Sequence, residues 1–255
     1  MATVLITGGT GGIGKALVEA FSRRGDSVYF TYHSGHEKSA SLEQSLLPAQ
    51  VKGLPFNQGD HSSMQVLLEK LPDQIDVLIN NAALGSATVK KVSSDEAVQD
   101  EKLFKVNALG PLWLTQAIIP RMCHYGFGKV INISSVGGGI YHYPGFRLAD
   151  GMSKAAIAFM TKQLAAELVY EPVDIFAVCP GATATEMFDA SSLQHLTSDA
   201  QEALKQSLPK RRLIEPDEIA EICLFLASDK SQVLHGAVID ASMGLGVNPA
   251  CLNKA

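Results

Sequence analysis

The chain has 255 residues, 46% of them hydrophobic and 18% charged, with 21 Lys and Arg against 26 Asp and Glu for a net charge of −5. That balance excludes a disordered chain, which would be less apolar, and a nucleic-acid binder, which would carry a basic surplus. No apolar run reaches membrane-spanning length, and the four cysteines, Cys123, Cys179, Cys223 and Cys251, lie too far apart for a disulfide framework or a zinc site.

In chain order, a strand predicted over Thr3–Thr7 runs into a glycine turn and a helix over Gly12–Arg24. Met1–Thr7 has no basic n-region, so no signal peptide is predicted and a cytoplasmic location is expected. Strands follow over Ser27–Tyr32, Val51–Phe56 and Asp76–Asn80, separated by helical patterns over Glu37–Leu47 and Ser62–Leu71. A long helix is predicted over Asp100–His124, then a strand over Lys129–Ser134 and a helix over Gly151–Val169. Strands over Asp174–Cys179 and Ala237–Ala241 flank a helix over Pro216–Ser228, whose proline and two acids suit a first turn. Residues 186–212 read as an excursion before that helix. Almost wholly apolar strands alternating with helices predict an α/β fold, a doubly wound seven-stranded parallel sheet flanked by helices, in a single domain over residues 1–255. Ligands in such folds sit beyond the carboxyl ends of the strands.

The first strand ends in Thr7-Gly8-Gly9-Thr10-Gly11-Gly12-Ile13-Gly14 and opens a helix, a pattern that lets backbone N–H groups approach a pyrophosphate. A Walker loop shares the Gly9-x4-Gly14-Lys15 spacing, but Ala16 lacks the hydroxyl that would hold Mg²⁺. The second strand ends Tyr32-His33-Ser34 without the acid that meets the ribose of NAD. His33, Ser34 and Lys38 are candidates to receive a 2′-phosphate, so NADP(H) is expected over NAD(H). His33 and His36 lack further ligands and do not make a metal site.

Taken together, these segments resemble the short-chain dehydrogenase/reductase family over nearly the whole chain. Thr7-Gly8-x-x-x-Gly12-Ile13-Gly14 is similar to its cofactor loop, and Asp60 to the acid that meets the adenine. Asn80-Asn81-Ala82-Ala83 resembles its Asn-Asn-Ala-Gly turn, Asn107 its catalytic asparagine, and Ser135 its catalytic serine. Pro180-Gly181-Ala182-Thr183-Ala184-Thr185 resembles the loop over the nicotinamide, and Arg212 to Ser228 the last helix. The resemblance implies a Rossmann-type domain that binds a nicotinamide cofactor and acts on a small molecule. It also implies a homotetramer or homodimer formed through the Asp100–His124 and Gly151–Val169 helices. No nucleic-acid or membrane partner is expected.

The family's Tyr-x-x-x-Lys signature keeps its lysine as Lys154, but the tyrosine position holds Asp150. At one helical turn apart the two side chains are within reach of each other. A carboxylate beside Lys⁺ is a poor proton donor but well suited to stabilising a cation. Three readings follow. In the first, reduction persists with the acid replaced, either by Tyr141 or Tyr143 from the preceding loop or by an iminium substrate that needs no proton. In the second, Asp150 is the acid/base of dehydration, isomerisation or cyclisation. In the third, the protein is a non-catalytic dinucleotide-binding module and Asp150–Lys154 merely a capping or surface pair. The alternative for Tyr141 and Tyr143 is packing, and for Trp113 a place in the core or a subunit contact. The sequon at Asn132 falls on a strand expected to be buried.

Overall fold

The structure is a computed structural model, described over residues 1–142 and 146–247. Alternating side chains set its layers. Val4 and Ile6 of β1 (Thr3–Ile6) face one side of the sheet and Leu5 the other. Phe176 and Val178 of β6 oppose Ile175 in the same way, so each central strand is apolar on both faces and needs cover on both.

On the first side lie α1 (Gly12–Arg23) and α2 (His36–Ser45), the latter joining β2 (Ser27–Tyr32) to β3 (Val51–Pro55). On the second lies α3 (His61–Lys70), leading to β4 (Val77–Asn80). Next come α4 (Glu96–Phe104), α5 (Gly110–Tyr125), β5 (Gly128–Ile133), α6 (Leu148–Glu167) and β6 (Val173–Pro180). The excursion is largely helical, with α7 (Glu186–Phe188) and α8 (Ser198–Ser207), before α9 (Pro216–Leu226) and β7 (Val238–Ala241) close the fold. All seven strands pair in parallel in the order β3-β2-β1-β4-β5-β6-β7, as the alternation predicts. Strand order reverses between β1 and β4, and their carboxyl ends open a crevice. Among the described residues, no helix is long and apolar enough to cross a membrane.

Two predicted helices differ from those observed. The single helix expected over Asp100–His124 begins earlier, with Asp95 capping α4 through the Ala97 N–H at 2.9 Å. It is then split by a π-turn over Lys105–Leu109. Pro111 has no N–H to offer, and Gly110 packs so closely on the Gln58 backbone that a Cβ there would overlap the Gln58 carbonyl. The α6 helix starts at Leu148, three residues before the prediction, which places Asp150 within its first turn.

A buried polar rib ties the sheet to α5 and α6. Asn80 and Asn132 are register partners on β4 and β5. Asn80 Nδ2 donates to Thr115 Oγ1 at 2.9 Å and to Asn132 Oδ1 at 2.8 Å, and Asn132 Nδ2 donates to Thr161 Oγ1 at 3.0 Å. Asn132 is fully buried, as expected of the sequon strand. Asn132→Ala leaves one Asn80 donor unmet in a dry core, and urea denaturation should show a loss of about 1–3 kcal/mol.

Candidate active site

The glycine turn is shaped by what surrounds it. Gly8 has φ +71°, a left-handed conformation that L side chains rarely adopt. A Cβ at Gly14 would overlap the Gly8 carbonyl, and one at Gly12 would lie 2.6 Å from Thr185 Cγ2. Thr7 Oγ1 accepts from the Asn81 and Ala82 N–H groups at 3.0 and 2.9 Å. In return, Asn81 Nδ2 donates to the Thr7 carbonyl at 2.9 Å. The N-terminus of α1 has no side-chain cap and no acid in its first turn. Its N–H groups therefore face the crevice with the positive end of the helix dipole, the donor set that a pyrophosphate fits.

A cavity of about 1420 Å³ runs through the crevice. His33 and Ser34 line it at the end of β2, and Gly8, Thr10, Gly12, Ile13 and Gly14 line its middle. Asn81, Ala82, Pro180, Gly181, Thr183 and Thr185 form further wall, and Ser135, Asp150 and Lys154 lie at the opposite end. Its size exceeds the roughly 300–1,000 Å³ of a drug-sized pocket and suits a dinucleotide together with a small molecule. Lys38 does not line the cavity; its Nζ pairs with Glu186 at 3.0 Å.

Asp60 does not line the cavity. It caps α3, accepting from the Ser62 N–H at 2.9 Å and from Ser62 Oγ at 2.7 Å, bonds that hold its carboxyl below the usual range. At the end of β3 the cavity wall is Phe56, Asn57 and Gln58 instead. Asn57 is the first polar residue beyond the predicted strand, the one signal the sequence offers for it, and Gln58 carries none. Gln58 Nε2 donates to the carbonyls of Ala82 and Val106 at 2.8 and 2.7 Å.

Asn107 does not line the cavity. It sits buried in the π-turn, with Oδ1 accepting from the Leu84 N–H at 2.8 Å. Its Nδ2 donates to the Leu84 carbonyl at 2.9 Å and to Ser153 Oγ at 3.1 Å, clamping the β4 loop to α6. Ser134 Oγ donates to the Lys154 carbonyl at 2.8 Å, so Ser134 is tied into α6. Ser135 Oγ accepts from the Gly137 N–H at 3.2 Å and faces the cavity, a group able to donate to a bound acceptor. Tyr141 is not on the cavity wall, because its N–H folds the loop back onto the Val136 carbonyl at 2.9 Å. Tyr143 lies outside the described residues. Phe146 and Arg147 line the wall in this region.

Asp150 and Lys154 are both buried, so they are not a surface pair. Nor do they form an ion pair: Lys154 Nζ donates to the Ile133 carbonyl at 3.1 Å. Burial pulls the lysine pKa below its usual value, opposed by the charge of Asp150 and then by Cys179. Burial also pushes the nearby Cys179 thiol up to about 11. The Asp150 partner is Ser86, whose Oγ donates to Oδ2 at 2.6 Å. Ser86 falls in the Ala83–Thr88 segment that the sequence places on the pocket wall, but at 64 residues' separation no spacing ties it to Asp150.

A family model described as Enoyl-(Acyl carrier protein) reductase matches residues 8–246 of this chain. The 3-oxoacyl-[acyl-carrier-protein] reductase FabG of Thermotoga maritima is 32% identical over 246 residues, covering 94% of this chain and 96% of its own. Among solved structures, levodione reductase is similar at a TM-score of 0.87 and 25% identity, over 96% of this chain and 98% of its own. A Pseudomonas aeruginosa RhlG/NADP active-site complex is similar at 0.84 and 26%, over 96% of both chains.

Because the Gly8 carbonyl is backbone and cannot swing aside, Gly14→Ala should displace the turn and the start of α1. Titration with NADPH, followed by its fluorescence, should show binding weakened at least about tenfold, with stability reduced by about 1–3 kcal/mol.

Proposed function

The chain belongs to the short-chain dehydrogenase/reductase family, an oxidoreductase family whose fold binds a nicotinamide dinucleotide. On that premise we propose that it is an NADP(H)-dependent reductase passing hydride to a carbonyl or imine carbon of a small organic substrate. We further propose that residues 1–255 act as a single domain, with the 186–212 excursion walling the substrate. The observation that carries this reading is the convergence of Ser135, Asp150 and Lys154 at one end of a cavity whose middle is the glycine turn.

The bound dihydronicotinamide supplies the hydride. The chain does the rest. Gly8, Thr10, Gly12, Ile13 and Gly14 present backbone to the pyrophosphate, backed by the α1 dipole. His33 and Ser34 receive the 2′-phosphate, and Asn57 takes the adenine place first assigned to Asp60. Asn81, Ala82, Pro180, Gly181, Thr183 and Thr185 enclose the nicotinamide end, and Lys154 holds its ribose. Ser135 donates a hydrogen bond to the substrate. Asp150 occupies the place of the family's tyrosine and stabilises positive charge at the reacting group, while Asn107 positions the loop and helix that carry the site. Tyr141, off the wall, is not favoured as a replacement acid.

We also propose a homodimer or homotetramer acting in the cytoplasm. Supporting the assembly, α6 presents Phe159 at 70% exposure, and Val169 and Tyr170 just beyond it are exposed at 60% and 97%.

NADPH should bind more tightly than NADH. Tyr32→Asp sets a carboxylate on the wall beside His33 and should reverse that order by about tenfold in each direction, read by fluorescence titration of both cofactors. Equal affinities in the unmodified protein would remove the NADP assignment.

Asp150→Asn keeps size and an acceptor oxygen for Ser86 but removes the charge. With a cyclic imine and NADPH, kcat/KM should fall by on the order of 10²–10³. An unchanged rate would show that the carboxylate takes no part.

A further inference from the structure

Asp150 is 6% exposed, yet among the described residues no cation pairs with its carboxylate. Lys154 is turned to the Ile133 carbonyl. Arg147, one turn earlier in sequence, is committed to α4, where it bonds Asp100, Gln99 and the Glu96 carbonyl. A buried carboxylate is costly unless compensated, and among the described residues the side chain bonded to this one is a neutral hydroxyl, that of Ser86.

Ser86 is itself held on both sides. Before it, Leu84 is gripped through both backbone groups by Asn107. After it, Thr88 Oγ1 accepts from the Gly85 N–H at 2.8 Å and closes the turn. On the helix side, Ser153 Oγ donates to the Asp150 carbonyl at 2.7 Å while accepting from Asn107. Ser86, Asp150, Ser153, Asn107 and Leu84 thus form a closed ring joining the β4 loop to α6. The ring fixes Oδ2 on the hydroxyl and leaves the carboxylate's remaining accepting capacity for a ligand in the cavity.

We propose that Ser86 is a positioning residue for Asp150, and that the pair recognises a substrate nitrogen carrying a proton or a positive charge. The proposal deepens the reductase reading and rests on it for the reaction. A ketone oxygen only accepts hydrogen bonds, so it is a poor neighbour for a carboxylate that only accepts. An iminium offers both a positive charge and, when protonated, an N–H donor. With a dihydronicotinamide bound, hydride would add to the iminium carbon as the C=N π pair became the nitrogen lone pair. The positive charge would then pass from substrate to oxidised nicotinamide, with no proton drawn from the protein.

The test is calorimetric titration of the protein with NADP⁺, in which no turnover occurs, using dihydroisoquinolinium and tetralone as bicycles of matched shape. The iminium should bind at least about tenfold more tightly than the ketone, the scale of one charged hydrogen bond. Ser86→Ala should lose about tenfold in iminium affinity with tetralone and NADPH binding unchanged, and Ser86→Thr should restore it. Asp150→Asn should erase the preference. Tetralone bound as tightly as the iminium, or no binding of either, overturns the nitrogen assignment; iminium affinity unchanged in Ser86→Ala overturns the positioning role. NADPH oxidation is followed separately. Absence of turnover with the affinity pattern intact supports the recognition site and instead overturns the reductase reading.

Discussion

The hydroxyl of Thr7 holds together two strand ends that the topology drives apart. The chain runs outward from β1 to β3 and returns to β4, so the crevice between β1 and β4 opens where connections leave in opposite directions. Thr7 Oγ1 bridges that crevice by taking the Asn81 and Ala82 N–H groups. With Ala82 so placed, its carbonyl receives Gln58, and Gln58 in turn reaches the Val106 carbonyl in the π-turn. The next residue is Asn107, which clamps Leu84 and Ser153. A hydrogen-bonded path therefore leads from the glycine turn to the ring that holds Asp150. The two ends of the cavity are set by one network that runs through the buried side chains of Thr7, Gln58 and Asn107, where a bond is stronger than in water and its loss more costly.

The same dryness governs the charges. Asp150 and Lys154 lie one helical turn apart in a buried site, and contact between them is what a surface helix would show. Here the ammonium is spent on the end of β5 and the carboxylate on the β4 loop, so each remains directed along its own wall of the cavity. Their attraction acts through space, which partly offsets the desolvation that lowers the lysine pKa. Separated charges of this kind stay available to a ligand, whereas a closed ion pair would have to be broken first.

Strands were legible because burial on both faces writes itself as unbroken Val, Leu and Ile runs, and each of the seven predicted strands was found within a residue or two. The glycine turn was legible because its constraint is local: Gly14 must clear the carbonyl of Gly8 six positions back. The split of the Asp100–His124 helix was not, since the contact of Gly110 with Gln58 joins distant segments. Asp60 was ambiguous for a related reason. An acid just past a strand reads equally as a ligand contact and as a helix cap, and only the position of Ser62 decides between them. Asp150 and Lys154 were visible as a departure from a familiar spacing, but their partners were not. Ser86, Ile133 and Ser153 carry no pattern that marks them, because a hydroxyl or carbonyl gains its meaning from what folding brings beside it.

The cofactor end of the cavity is built mainly from backbone, with glycines, a helix N-terminus and turn amides, and backbone chemistry is the same whatever side chains surround it. The other end is built from side chains drawn from β5, α6 and the β4 loop. Under the proposed reading, a change at position 150 alters the group facing the substrate and leaves the glycine turn as it is. On the same reading, that change exchanges a donor for an acceptor. A tyrosine hydroxyl gives a proton to an oxygen that gains charge, and an acceptor in its place favours a partner that brings its own proton or positive charge. Ser86 fits this polarity, since its hydroxyl donates to Oδ2 and so pairs with the carboxylate as an acceptor. The scaffold and the chemistry can thus part company at one side chain, with the hydrogen-bonded ring as what holds that side chain to its new task.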